Sequence, residues 1–309
     1  MTEFRRVRLT TGVTLNVALA GPDDAPAVIL LHGFPESHRT WRGIAPLLED
    51  RFRLIMPDLR GFAGSDRPQE VEAYRTSVIV EDVLALADAL SIENFALVGH
   101  DWGGAVAWSA AIQGSAAIAG NPRIERLAIV NSPHPVIFQK SLIDSTEQRA
   151  ASQYMNAFRA PGMDKAIEAM GFEAFFEKTF SAHVDLALIA EAEKQQYIAE
   201  WSQPGAMAAM LNWYRASPLI VPPPLLAVPV PDWVLGAFPK VRVPTLVVWG
   251  MRDHALLPLQ LDGLDRLVDD LSIVRLPDAG HFAPWETPEL VAEALGHFLG
   301  GQAAATAPA

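Results

Sequence analysis

There is no cysteine among the 309 residues, which removes disulfides, thiolate nucleophiles and cysteine-ligated metals from consideration. Basic residues are scarce. The 24 lysines and arginines face 36 aspartates and glutamates, a net charge of −12. Such a chain is repelled by nucleic acid and by anionic membrane surfaces, so neither is expected as a partner. Long apolar runs are missing as well: the oiliest stretch, Leu219 to Phe238, is broken by Pro222, Pro223, Pro224, Pro229 and Pro231 and cannot form a spanning helix. The opening MTEFRRVRLTTG lacks the apolar core of a signal peptide, and a soluble, cytoplasmic protein is expected. What remains is half hydrophobic and 19% charged, a balance that suits a globular enzyme with a large core.

Alternation of apolar and polar residues from Val7 to Leu19, on either side of Thr11-Gly12, predicts a hairpin whose wet face carries Arg5, Arg6 and Arg8. Continuous apolar runs follow at Ala27–Leu31, Leu54–Met56, Phe95–Val98, Leu127–Val130 and Thr245–Trp249. Runs of that kind are buried parallel strands, and the helical periodicity between them predicts a doubly wound, mostly parallel α/β sheet. The alternation stops between about Pro133 and Pro244. Helices are expected there over Gln153–Phe158, Lys165–Phe180, Val184–Trp201 and Ala206–Arg215, followed by a stiff, extended, proline-rich strap. The domain reading is a core over 1–133 and 244–299, an all-helical lid over 134–243, and a flexible tail from Gly300 to Ala309.

Gly99-His-Asp-Trp-Gly103 follows an apolar strand and precedes a small-residue helix. This is the layout of a nucleophile elbow, G-x-S-x-G, with Asp101 in the serine's place. Asp253 and His281 each follow a later strand, in the order nucleophile, acid, histidine. Leu31-His-Gly-Phe-Pro-Glu-Ser37 also follows a strand. Its Gly33 lets the Phe34 amide face the site, and with the Trp102 amide it makes two donors for an oxyanion.

HGFPES, DLRGFAGSDRP (Asp58–Pro68), GHDWGG (Gly99–Gly104) and the late Asp253 and His281 resemble the epoxide hydrolases of the α/β-hydrolase superfamily, over nearly the whole chain. The resemblance implies the α/β-hydrolase fold and an aspartate nucleophile. It also implies two lid tyrosines that hold the epoxide oxygen. Leu211-Asn-Trp-Tyr214-Arg is similar to the segment carrying one, and Gln153-Tyr154-Met-Asn-Ala-Phe158-Arg-Ala-Pro-Gly162 to the segment carrying the other. The chain has only four tyrosines. Tyr74 and Tyr197, in a core segment and a polar helix, are read as structural. Met155, Phe158 and Trp213 are expected in the pocket wall together with Phe34, Trp102 and the two lid tyrosines.

A carboxylate that attacks an sp³ carbon leaves an ester, which water can cleave, whereas a serine would leave an ether. The expected reaction is therefore hydrolysis of an apolar epoxide to a vicinal diol, with no metal or organic cofactor. Haloalkane and haloacetate dehalogenases share these motifs and are the first alternative. Against them, Phe34 stands where a halide-binding Asn would serve, and Trp102 where a carboxylate-binding Arg would. A non-catalytic ligand-binding protein on the same scaffold is the second alternative, though no triad member is missing.

Overall fold

The computed structural model describes residues 2–116, 123–224, 226, 228–236 and 238–301. Of the expected tail, residues 302–309 lie outside the described residues.

Among the described residues, eight strands form one sheet. They are β1 (Glu3–Arg8), β2 (Thr14–Ala20), β3 (Ala27–Leu31), β4 (Arg53–Pro57), β5 (Phe95–His100), β6 (Ile124–Val130), β7 (Thr245–Gly250) and β8 (Leu271–Leu276), in the spatial order β1-β2-β4-β3-β5-β6-β7-β8. β1, β2 and β4 pair antiparallel; from β4 to β8 every pairing is parallel. The expected hairpin is the edge of the sheet, with Arg5, Arg6 and Arg8 exposed and Val7 turned inward.

Side chains of a strand point alternately to opposite faces, and here both faces are covered. Ile29, Leu97, Ile129 and Val247 join a core with α2 (Thr76–Ala89) and α3 (Trp102–Ala116). Val28, Val98, Val130 and Val248 join another core on the other side. There they meet α1 (Ala45–Leu48), in the segment before β4, and the last helix of the chain. This explains why the strands read as uninterrupted apolar runs rather than as alternating ones.

Between β6 and β7 the chain is helical: α4 (Pro135–Asp144), α5 (Thr146–Ala151), α6 (Gln153–Arg159), α7 (Met163–Met170), α8 (Phe172–Phe180), α9 (Glu191–Trp201) and α10 (Ala206–Ala216). The single helix expected over Lys165–Phe180 is two, because Gly171 adopts φ +90° and ends α7. The helix expected from Val184 starts only at Glu191, after a 3-10 turn capped by the Asp185 carboxylate. The proline-rich strap is not extended throughout. A short helix, α11 (Asp232–Leu235), sits within it, started by Pro231. The chain ends with α12 (Ala283–Glu286) and α13 (Pro288–Leu299).

The helical layer is fastened to the sheet domain by specific bonds. Arg39 meets Glu200 at 3.0 Å, and the Trp201 and Trp213 indoles donate to the Pro35 and Arg60 carbonyls at 2.7 and 3.1 Å. Among the described residues no helix is long and apolar enough to cross a membrane.

Candidate active site

The turn after β5 is tighter than side chains permit. A Cβ on Gly99 would lie 2.4 Å from the Gly103 carbonyl oxygen, and one on Gly103 would lie 2.3 Å from that of Leu31. Asp101, between them, is held at φ +50°, a left-handed conformation that aspartate tolerates only at a cost. In return its carboxylate stands clear of the sheet at the N-terminus of α3, where backbone dipoles favour negative charge. The Asp101 carbonyl accepts from the Ser132 hydroxyl at 2.7 Å, which fixes the turn from the end of β6.

From the end of β3, the Phe34 N–H donates to Asp101 Oδ1 at 2.8 Å. Gly33 makes this approach possible, since a Cβ there would come within 2.4 Å of the Asp101 Cβ. The other carboxylate oxygen, Oδ2, lies 3.6 Å from His281 Nε2. His281 Nδ1 in turn lies 2.8 Å from Asp253 Oδ2. The three residues that the sequence spread over 181 positions are one chain of contacts.

Asp253 follows β7 and is fully engaged. Its Oδ1 accepts the N–H groups of Ala255 and Leu256, each at 2.8 Å, and its Oδ2 accepts the Asn131 amide at 2.9 Å. Burial opposes the charge of Asp253, but His281 and these donors outweigh it and hold the carboxyl below its usual range. Burial works against Asp101 too, and again His281 and the Phe34 amide leave it below the ordinary value. For His281 the balance is the reverse in sign: burial lowers it, while Asp253 and Asp101 together raise it well above an ordinary histidine.

Two residues of this site, Asn131 and Ser132, carry no sequence motif of their own, and a third, His100, stands inside the elbow motif without a role that the motif assigns. Asn131, at φ +42°, bridges β6 to β7 by accepting from the Gly250 N–H at 2.9 Å while holding Asp253. Ser132 anchors the elbow. His100 is fully buried and its Nε2 donates to the His281 carbonyl at 2.8 Å, with Nδ1 3.4 Å from Glu36 Oε2. Asn131 and Ser132 were detectable only as the polar pair ending an apolar strand.

Facing Asp101 from the helical layer are Tyr154 on α6 and Tyr214 on α10, their rings 6.1 Å apart and perpendicular. Burial raises both phenols above the ordinary tyrosine value, helped by Asp101 in each case and by Tyr154 in that of Tyr214. They stay protonated at neutral pH and can only donate to an oxyanion. Tyr214 packs edge-on against Trp102, Phe34 and Phe158, with centroids at 5.2, 5.1 and 5.0 Å.

Two cavities, of about 440 and 330 Å³, meet at Asp101, Tyr154 and Tyr214. Trp102 and Met155 line the larger and Phe34 and Phe158 the smaller, as wall residues should. Trp213 is different. It lies behind Trp102, packs on Phe62 and gives its indole N–H to Arg60, and it lines neither cavity. The turn of α10 accounts for this: successive helix residues are rotated by about 100°, so with Tyr214 facing the cavity Trp213 points to another side, here the sheet domain. Tyr74 and Tyr197 are buried elsewhere, their hydroxyls donating to the Pro68 carbonyl at 2.7 Å and to Glu36 at 3.3 Å.

An acid lifted out at the head of a central parallel strand, beside a histidine held by a second acid from a later strand, defines an α/β hydrolase. Residues 26–146 match the family model described as alpha/beta hydrolase fold. The AB hydrolase superfamily protein YfhM of Bacillus subtilis is 31% identical, covering 95% of this chain and 96% of its own. A structure from metagenomes of hot environments, described among novel epoxide hydrolases of the alpha/beta hydrolases superfamily, is 44% identical; it covers 98% of this chain and 100% of its own with a TM-score of 0.88. The Bacillus megaterium epoxide hydrolase, solved with an inhibitor, is 26% identical over 96% of this chain and 100% of its own, with a TM-score of 0.82. The chain belongs to the epoxide-hydrolase family of the α/β-hydrolase superfamily.

Proposed function

We propose that this protein hydrolyses an apolar epoxide to a vicinal diol in two steps through an ester on Asp101, beneath a lid made by the helical segment between β6 and β7. In the first step Asp101 Oδ2 attacks an epoxide carbon from behind. The C–O bond of the ring breaks, and the ring oxygen takes a proton from Tyr154 or Tyr214. Oδ1 remains the carbonyl oxygen of the ester, still beside the Phe34 N–H.

In the second step His281 takes a proton from water, whose oxygen attacks the Asp101 Cγ. The charge that develops on Oδ1 is held by the Phe34 and Trp102 amides, an effect worth about 3–4 kcal/mol per donor in other hydrolases. Asp253 steadies the imidazolium. When the tetrahedral intermediate collapses, the Cγ–Oδ2 bond breaks and Oδ2 leaves as the second hydroxyl of the diol with the proton held by His281. The water's oxygen stays in the Asp101 carboxylate, and its other proton returns to the tyrosine that donated in the first step. Ester formation also removes the Asp101 charge, one of the two influences that raise His281. The histidine is thereby released toward the neutral form at the moment a base is needed.

The observation that carries this reading is the pair of protonated phenols on the same two cavities as Asp101. A halide leaving group has no use for them. The test is a panel pairing epoxides, styrene oxide among them, with haloalkanes and haloacetates. Diol formation from epoxides without added metal is expected. Halide release with no diol from any epoxide would refute the reading.

A further inference from the structure

The two cavities are not equivalent. Asp101 and both lid tyrosines line each, but of the two only the smaller is also lined by His281. A water that His281 deprotonates and that attacks Asp101 must touch both residues, so on the proposed mechanism it occupies the smaller cavity. A second histidine lines that cavity. His183 sits in the turn after α8, where its N–H donates to the Phe180 carbonyl at 2.9 Å, and its ring packs edge-on against Phe282 with centroids 5.7 Å apart. Its ring centroid also lies 5.7 Å from that of His281, a separation that one water hydrogen-bonded to both rings can bridge.

His183 has no structural use for its nitrogens. Nδ1 is buried without a partner, and neither ring nitrogen forms a hydrogen bond among the described residues. The buried histidines His32, His100 and His134 each use at least one ring nitrogen to bond a backbone group, whereas His183 uses neither. Of the other polar side chains on that wall, Lys178 and His254 are exposed and Thr179 is half-buried. An unpaired polar ring in a cavity invites water. Burial, with His281 adding to it, depresses His183 to about 4, so at neutral pH it brings no second positive charge beside His281.

We propose that His183, from the helical layer, holds the hydrolytic water against His281 and Asp101. Attack uses one lone pair of the water and gives one proton to His281 Nε2. One O–H and one lone pair are left over, and the neutral imidazole bonds one of them without changing its own protonation. His183 is thus a water-positioning residue for the second step alone, and the role rests on the two-step mechanism proposed above.

The test separates the two steps in single-turnover experiments with styrene oxide, following ester formation by quenched mass analysis and diol release in parallel. His183→Phe keeps the ring and its packing on Phe282 but removes both nitrogens; His183→Gln restores a hydrogen-bonding group. In His183→Phe, ester formation at the wild-type rate and diol release slowed about tenfold are expected, the worth of one good hydrogen bond. The ester should then accumulate at steady state, and His183→Gln should recover part of the loss. Unchanged diol release, or equal slowing of both steps, overturns the assignment. So does a His183→Gln variant that is folded by circular dichroism yet as slow as His183→Phe. A wild-type protein that forms no ester with any epoxide would instead overturn the reaction itself, so the two failures are distinguishable.

Discussion

On the proposed mechanism, aspartate rather than serine at position 101 decides which atom is attacked and which bond can later be broken. Two substitutions separate these events. With His281→Gln the base is lost but the nucleophile and the phenols remain. The protein should therefore gain the mass of one styrene oxide molecule on Asp101 and keep it, as intact mass spectrometry would show; a variant that never carries an adduct contradicts the ester. Tyr214→Phe removes one of the two proposed donors to the ring oxygen. Ester formation should slow by about one to two orders of magnitude, less than the roughly 10²–10⁴-fold worth of a sole positioned acid because Tyr154 remains, with ester hydrolysis little changed. Equal slowing of both steps in a stopped-flow experiment removes Tyr214 from this role. Asp101, Asp253 and His281 were legible in the sequence because each sits just behind an apolar strand, a local signal. Asn131 was not, and neither were the contacts of His100, although it stands inside the elbow motif. Asn131 holds an acid 122 positions away because β6 happens to lie beside β7, and His100 reaches a carbonyl 181 positions away. Nothing near either residue encodes those neighbours.

The same division holds for whole elements. Strands buried on both faces announce themselves as apolar runs, and all the expected ones are present. The helical segment was recognisable by the loss of alternation, but its internal breaks depended on single residues such as Gly171, and its docking on bonds to distant loops. One such bond belongs to the core. Arg60, in the loop after β4, forms a two-pronged pair with Asp82 of α2, both contacts at 2.6 Å, and also donates to the Ala73 carbonyl at 2.8 Å. Asp82 further accepts from the Thr11 hydroxyl. Both members are almost fully buried, so removing one leaves a charge without a partner in the interior. Asp82→Leu should cost about 3–5 kcal/mol in urea unfolding, while Arg60→Met with Asp82→Leu together should cost less than the single change. A double variant no better than Asp82→Leu would show that the pair's charge balance is not what matters there. The Arg60 carbonyl also anchors Trp213 behind Trp102, which links this pair to the pocket wall.

At the scale of the molecule, stability against acid is set by histidines that the fold needs neutral. Burial lowers His32, His134 to about 3 and His183 to about 4. His32 Nε2 accepts the Leu59 N–H and His134 Nδ1 accepts the Val136 N–H, bonds that a protonated ring cannot make. A histidine lowered in the folded state lends stability that is complete above its unfolded value of about 6.5 and is lost as pH falls toward the folded value. His281 has the opposite sign. Raised on folding, it lends stability below about 6.5 that is lost as pH rises through its folded value. Asp101 and Asp253, both lowered, hold theirs until pH falls below the ordinary carboxylate range. The optimum should therefore lie near pH 6.5, with the acid side steepened by about 1.4 kcal/mol per pH unit for each buried neutral histidine. His134 allows a clean test because it caps α4, has no part in the proposed chemistry, and asparagine caps helices at least as well. His134→Asn loses the ring's contacts with Trp108 and Phe238, so it should be less stable at pH 6.5. Between pH 6.5 and 4.5, however, urea unfolding should show it losing about 2 kcal/mol less than the parent, because one proton-binding site of the unfolded chain has gone. Parallel losses in the two proteins over that interval would mean that His134 is not held neutral by the fold.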